Sequence, residues 1–304
     1  MRKHYQQMSF SHYDVSRRTA KNTFYTHINT AINWQTIENE INKHYSSGKS
    51  ATGQSAYPGI LLFKMLLVGF WSGSISVRDV EEMANENLSV MRFLKLRLED
   101  MVPDHSVLSR FRSQLVEKDA FEPIMNLIND QLEAHGILIK TGVKIDASIT
   151  DSPRKPKGKT TYQIAEDRKE DEVPETEVEK QTVDIKLIKV VQPGVDQEGR
   201  WIKKGGKSRF GYKKHIATDD QGLVISVTTT SANVHDSKEF KPLIYKAGFG
   251  KGSRVYADKV GVTRYVGQAK THGQHVESIA YNLKRTPKLL MKVEVSKKQE
   301  LIMG

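Results

Sequence analysis

A chain of 304 residues is long enough for two domains, each with its own core. Forty-seven Lys and Arg against thirty-six Asp and Glu leave a formal charge of +11, a field that favours polyanionic partners such as nucleic acid. Cysteine is absent, which excludes a disulfide framework and any thiolate metal site, so a metal must be held by oxygen or imidazole.

In chain order, residues 1–45 are polar, with Arg2, Lys3, Arg17, Arg18 and Lys21 opposed only by Asp14 in the first twenty-five positions. They read as an N-terminal extension, either a basic arm on DNA or a solvated lead-in. Residues 46–136 read as a compact helical domain. Ile60, Phe63 and Leu67 fall at helical spacing after Pro58, and Val77, Val80, Met83 and Ala84 follow Ser76, with Asp79 placed to complete a capping box. Asp104 or Ser106 can cap a third helix that carries Val107, Leu108, Phe111 and Leu115 on one side and Arg110 and Arg112 on the other. Phe121, Ile124, Ile128 and Leu132 mark a fourth, stopped at His135-Gly136. The most apolar stretch, Ile60 to Trp71, is interrupted by Lys64 and is shorter than the ~20 residues that span a bilayer. The N-terminus lacks the apolar segment of a secretory signal, so the expectation is a cytoplasmic protein with no membrane contact.

After Gly136 the period shortens from 3.6 to 2, opening a second domain over 137–304. Val143, Ile145, Ala147 and Ile149 alternate with Lys144, Asp146 and Ser148, the pattern of a strand with one face in a core. Residues 155–182 pass from Lys155-Pro-Lys-Gly-Lys into an acidic stretch with few large apolar residues, which predicts a flexible charged insertion. Strands are expected at about 184–190, 200–204, 208–218 and 222–230, a helix at 236–246, a strand at 253–258 and a last helix near 270–284.

Asp146 and Asp258 share one circumstance, since each sits on the polar side of a strand whose other side is apolar. Either could simply be solvated. The order helical domain, strand, several strands, helix, strand is nevertheless that of an RNase H-like fold, in which two such strands are neighbours and their carboxylates converge. Paired carboxylates repel unless a cation neutralises them, and Mg²⁺ (or Mn²⁺) prefers such oxygen ligands. Two such ions serve in-line phosphoryl displacement, so the implied chemistry is phosphodiester cleavage or transfer. From Gly199 to Thr218 there are seven cations, Arg200, Lys203, Lys204, Lys207, Arg209, Lys213 and Lys214, together with His215 and no acid. Interleaved Trp201, Phe210 and Tyr212 favour a phosphate-binding hairpin over a merely solvated face.

These blocks resemble, in order, those of DDE transposases of bacterial insertion sequences, specifically the IS-five group. The matching stretches are Val143-Lys-Ile-Asp146-Ala-Ser, Asp196-Gln-Glu-Gly-Arg200-Trp201-Ile-Lys-Lys, Phe210-Gly-Tyr-Lys-Lys-His215, Ala232-Asn-Val-His235-Asp236-Ser and Tyr256-Ala-Asp258-Lys259. Tyr57-Pro58 through Trp71 and Val102-Pro-Asp104-His-Ser-Val-Leu-Ser-Arg110-Phe111 look like that group's InsH-type helical N-terminal domain.

The resemblance implies an α/β multi-domain chain: a helical N-terminal domain, then an RNase H-like mixed-sheet domain in which Asp146 and Asp258 are catalytic and chelate Mg²⁺ or Mn²⁺. It further implies binding of double-stranded DNA at the terminal inverted repeats of a mobile element, with Mg-dependent strand cleavage and transfer. The DNA contacts expected are Lys203, Lys204, Lys207, Arg209, Lys213, His215, Arg110 and Arg112; homo-oligomerisation on DNA is left open. One departure stands out. Lys259-Val-Gly-Val runs almost directly into a terminal block, Thr263-Arg-Tyr-Val-Gly-Gln-Ala-Lys-Thr-His272, as if the segment with the family's third carboxylate, a Glu on a helix, had been deleted. The second domain therefore reads as incomplete. Glu277 is the nearest substitute, but it lies within the terminal block and borders a helix stripe that needs burial, so the third carboxylate stays unassigned. The alternative function is a catalytically inactive DNA-binding relic or regulator.

Overall fold

The computed structural model describes residues 24–45, 56–158, 162–164, 187–189, 194–249, 252–257 and 274–303. The basic positions of residues 2–21, most of the 155–182 insertion and Asp258 lie outside the described residues.

The helical half begins earlier than composition suggests. Helices α1 (Phe24–Ala31) and α2 (Trp34–His44) are separated by Asn33, whose side chain accepts from the Gln35 amide and caps α2. Ile28, Ile37 and Ile41 are fully buried in the same core as the helices that follow, so residues 24–45 form part of the helical layer rather than a lead-in. Helix α3 (Gly59–Trp71) is apolar on all sides, the mark of a central helix, and every residue from Leu61 to Gly69 is buried. Around it lie α4 (Val77–Glu86), α5 (Leu88–Leu94), α6 (His105–Glu117) and α7 (Phe121–Ala134). The expected caps are present: Ser76 and Asp79 form a reciprocal capping box on α4, and the Asp104 carboxylate accepts from the Ser106 and Val107 amides on α6.

The interruption of α3 at Lys64 is a packed feature. Its ammonium, 3% exposed, donates to Asn29 Oδ1 at 3.0 Å and to the Phe93 carbonyl at 3.3 Å, beneath the rings of Trp34 and Phe93. Burial brings its pKa down to about 7. One lysine thus ties α1, α2 and α5 to the central helix.

The second half is a mixed sheet built from β1 (Gly142–Asp151), β4 (Arg200–Lys204), β5 (Lys207–Thr218), β6 (Val224–Ser231) and β7 (Arg254–Ala257). Two short strands, β2 (Tyr162–Ile164) and β3 (Leu187–Lys189), pair with each other apart from it. β5 runs antiparallel to β1, β4 and β6, whereas β1 and β7 are parallel. Helix α8 (Asp236–Ala247) covers one face, where Ser226 Oγ donates to the Leu243 carbonyl.

The last helix, α9 (Gln274–Met303), is longer than its apolar stripe suggests and joins the two halves. Trp71 Nε1 in α3 donates to the Ala280 carbonyl at 2.8 Å, while Asn282 donates to Asn129 Oδ1 in α7 and to the Val224 carbonyl in β6. A single continuous core runs from Ile28 through Val143 to Leu289. The change of period at Gly136 therefore marks a change of secondary structure and not a gap between cores.

Candidate carboxylate site and nucleic-acid interface

β1 lies between β5 and β7, and its register fixes what Asp146 can meet. Asp146 pairs with Ile216 and Ser148 with Lys214; directly opposed residues share a face, as do positions two apart along a strand. Asp146, Ser148, Ile216 and Lys214 therefore occupy one face of the sheet. That face is more covered than a simple polar side, because Ser148 and Thr150 are buried and Asp146 is half-buried. On the parallel side Ile145 pairs with Ala257, so the described register stops one residue short of both candidate aspartates. Carboxylate oxygens suit a hard divalent cation. Among the described residues no group of three or more His, Asp or Glu could hold a metal ion.

Glu277 arrives at this face from α9. Its carboxylate accepts from the Lys214 ammonium at 3.1 Å, and Lys214 stands two residues along β5 from the partner of Asp146. Sequence position alone gave no reason to bring Glu277 to the sheet face that carries Asp146; the pairing with Lys214, 63 residues upstream, does so.

The basic run divides into two structurally different parts. At the hairpin tip Lys203, Lys204 and Lys207 are exposed around Gly205-Gly206, both with positive φ, as a tight two-residue hairpin requires. Arg209 is partly exposed, and its guanidinium grips Asp151 with two bonds of 2.8 Å. Farther along β5 the cations turn inward. Lys213 is buried against Asp236 Oδ1 at 2.7 Å and the Val234 carbonyl, and Lys214 against Glu277. His215 is 2% exposed, with Nε2 and Thr230 Oγ1 3.1 Å apart, and burial holds its pKa down at about 4. The structure thus exposes Lys203, Lys204 and Lys207 at the hairpin tip and leaves Lys213 and His215 no open side. Arg110 is exposed and Arg112 half-buried on α6, away from the hairpin in the fold's helical half. The cap of α8 is His235, which accepts from the Ser237 amide, and the adjacent Asp236 serves Lys213.

Sequence reasoning also missed a buried anchor. Asp196 accepts hydrogen bonds from Ser152 Oγ, Tyr212 Oη and the Gly199 amide, fastening the loop before β4 to the end of β1. Burial, and then the Asp196 carboxylate, raise the Tyr212 pKa. Where these strands meet, Gly211 has φ +155, and a Cβ there would collide with the Thr150 carbonyl oxygen, so only glycine fits.

Comparison with known proteins bears on both halves. The family model described as Transposase domain (DUF772) matches residues 13–114, and that described as Transposase DDE domain matches residues 157–301. The chain belongs to the DDE transposases of insertion sequences. It is 33% identical over 150 residues to the transposase for insertion sequence element IS1106 of Neisseria meningitidis serogroup B. That stretch is 49% of this chain and 46% of the relative, so the match spans about half of the relative's length. No solved structure matches the chain. The first family match crosses position 45, in keeping with α1 and α2 belonging to the helical layer. No helix among the described residues is long and apolar enough to cross a membrane.

Proposed function

We propose that this transposase-family chain binds the terminal inverted repeats of an insertion sequence and supports Mg²⁺- or Mn²⁺-dependent DNA strand cleavage and transfer through Asp146 and Asp258. The observation that carries the proposal is the parallel β1–β7 pair, whose register reaches Ile145 and Ala257 and so ends immediately before both aspartates. A sheet in the order β6, β5, β1, β7, antiparallel except for its last pair, supports the RNase H-like reading of this half. The bound ion would supply charge stabilisation of the phosphoryl group and activation of the attacking oxygen. The chain's own part is to hold Asp146 rigidly in a central strand and to bring phosphates in over Lys203, Lys204 and Lys207. Arg110 and Arg112 on a capped helix would add base-edge contacts, an Arg–guanine pair giving ~1–3 kcal/mol of discrimination.

One observation favours the relic reading as well: Glu277, the carboxylate that α9 brings to the Asp146 face, is held by Lys214. A helix-borne carboxylate committed to a lysine is poorly placed to serve as a third ligand. The two readings separate in a strand-cleavage assay on a labelled element end with Mg²⁺ and Mn²⁺. An active transposase loses cleavage in Asp146→Ala and in Asp258→Ala, by on the order of 10²-fold or more. Wild-type cleavage equal to that of both variants rejects the enzymatic reading and leaves end binding. Sensitivity to Glu277→Gln, with an unchanged melting curve, identifies Glu277 as a participant.

A further inference from the structure

A recess at the base of the β4–β5 hairpin has the chemistry of a nucleobase site. It encloses about 330 Å³ and is lined by Trp201, Phe210, Pro153, Lys155, Arg209 and Asp151. Trp201 is 47% exposed, an unusual position for the largest apolar side chain in a strand. Its orientation is nevertheless set from below. Phe210, its cross-strand partner, is buried with ring centroids 5.3 Å apart, and Gly199 passes over the Phe210 ring where a Cβ would come within 2.7 Å of it. Arg209 and Asp151, which the register puts on the other face of the strands, close the edge of the recess, with Arg209 held by both oxygens of Asp151 and donating to the Ile149 carbonyl at 3.2 Å. Lys155 is exposed in the lining, and Lys203, two residues along β4 from Trp201 and so on the same face, is exposed beside it.

We propose that this recess receives one unpaired nucleobase, stacked on Trp201 with its phosphates on Lys155 and Lys203. The inference rests on the DNA-binding reading above and deepens it by naming the substrate form. A base inside a duplex is stacked on both faces and offers no ring surface to an indole, so the site selects a base that is single-stranded or swung out of the helix. The cations favour a nucleic acid over a neutral aromatic ligand. Phe210 lies six residues along β5 from Ile216, the partner of Asp146, and on the same face, a separation of ~20 Å at ~3.3 Å per residue.

The test uses the full chain with two probes, a 12-nucleotide single strand carrying 2-aminopurine and the blunt duplex of the same sequence. Wild-type protein should quench 2-aminopurine in the single strand. Trp201→Ala should abolish the quench and weaken single-strand binding by about 5- to 150-fold, the range seen when a stacking aromatic is removed. Trp201→Phe, which keeps an aromatic face and the strand pairing, should retain most of both. The loss for the single strand in Trp201→Ala should exceed the loss for the duplex at least fivefold. Equal losses on the two probes, or an undiminished quench in Trp201→Ala, overturn the site while leaving DNA binding intact. Wild-type protein that binds neither probe overturns the DNA-binding reading itself, and this site with it.

Discussion

The tip of the β4–β5 hairpin and the middle of β5 carry nearly the same charge and behave as different materials. Around the turn, Lys203, Lys204 and Lys207 stand in solvent; ten residues later Lys213, Lys214 and His215 are packed against Asp236, Glu277 and Thr230. The tip belongs to a two-stranded ribbon with no other described strand beside it. The base runs between β1 and β6 with α8 on one face and α9 reaching the other, so its cations must find partners or give up their charge. Basic residues at the tip are thus free to exchange counterions for phosphates, and those at the base hold the helices to the sheet. Perturbing each region should move a different observable.

The largest effect is expected at the base and depends on pH. His215 has its pKa held at about 4 in the fold, against an ordinary 6.5 in an unfolded chain, by burial first and by Lys213 after it, with Asp236 opposing. The unfolded chain therefore takes up a proton between these values that the folded chain refuses. Stability from this group is present above pH 6.5 and is lost as pH falls toward 4, by about 1.4 kcal/mol per pH unit at most and about 3 kcal/mol in all. Urea midpoints measured from pH 7 to 4 should fall less steeply in His215→Gln than in wild type; parallel profiles would show that His215 is not buried in solution. Next in size is Lys213→Met, which keeps the apolar stem and removes the ammonium from Asp236 and the Val234 carbonyl. Because Asp236 is 53% exposed and can be rehydrated, the cost should be about 2 kcal/mol rather than the ~3–5 typical of a fully buried pair. Duplex affinity of the folded variant should stay near that of wild type. A large drop in affinity without a drop in stability would move Lys213 back to the DNA surface.

The same contrast shows what could be read from the sequence. The caps at Ser76 and Asp104, the helical stripes from Ile60 to Leu132 and the Gly205-Gly206 turn were legible because each depends on residues within four positions of one another. The alternation from Val143 to Ile149 was legible for the same reason. The roles of Lys213 and Lys214 were not, since their partners lie 23 and 63 residues away and only the packing of α8 and α9 brings them together. Helix α2 was hidden differently: Ile37 and Ile41 form a correct stripe, but eight polar neighbours dominate its composition. Lys64 read as a break in an apolar run because its acceptors, Asn29 and the Phe93 carbonyl, are supplied by other helices. Of the candidate carboxylates, the strand bearing Asp146 and its parallel neighbour were legible. The arrival of Glu277 on the same face was not, because α9 is positioned by Trp71, Asn129 and Val224 rather than by its own sequence.

At the tip, replacing Lys203, Lys204 and Lys207 by Gln should leave the urea midpoint unchanged and flatten the plot of log K against log salt. Each phosphate that a lysine no longer neutralises takes about 0.9 from the slope, so the triple variant should lose up to about 2.7. Between 50 and 200 mM salt that is a change of about 40-fold in relative affinity, or about 2 kcal/mol. An unchanged slope would make the tip a solvated face and turn attention to Arg110, Arg112, Arg209 and Lys155 for phosphate binding.

The smallest expected effect is the most discriminating. Lys204 and Lys207 are directly opposed across the Gly205-Gly206 turn, and like charges so placed repel. Neither lysine forms an ion pair among the described residues, whereas a phosphate between the two ammonium groups would offset the repulsion. Lys204→Glu turns the repulsion into an attraction and should stabilise the hairpin by only ~0.2–1 kcal/mol, near the limit of detection in a global melt but visible as slower amide exchange at the tip. The same change should weaken duplex binding by more than the neutral Lys204→Gln, because it sets a carboxylate where a phosphate would sit. A residue that lowers stability and raises affinity by its charge is one placed for its partner. If Lys204→Glu instead slows exchange and leaves affinity untouched, the two lysines do not share a phosphate, and the hairpin tip points away from bound DNA.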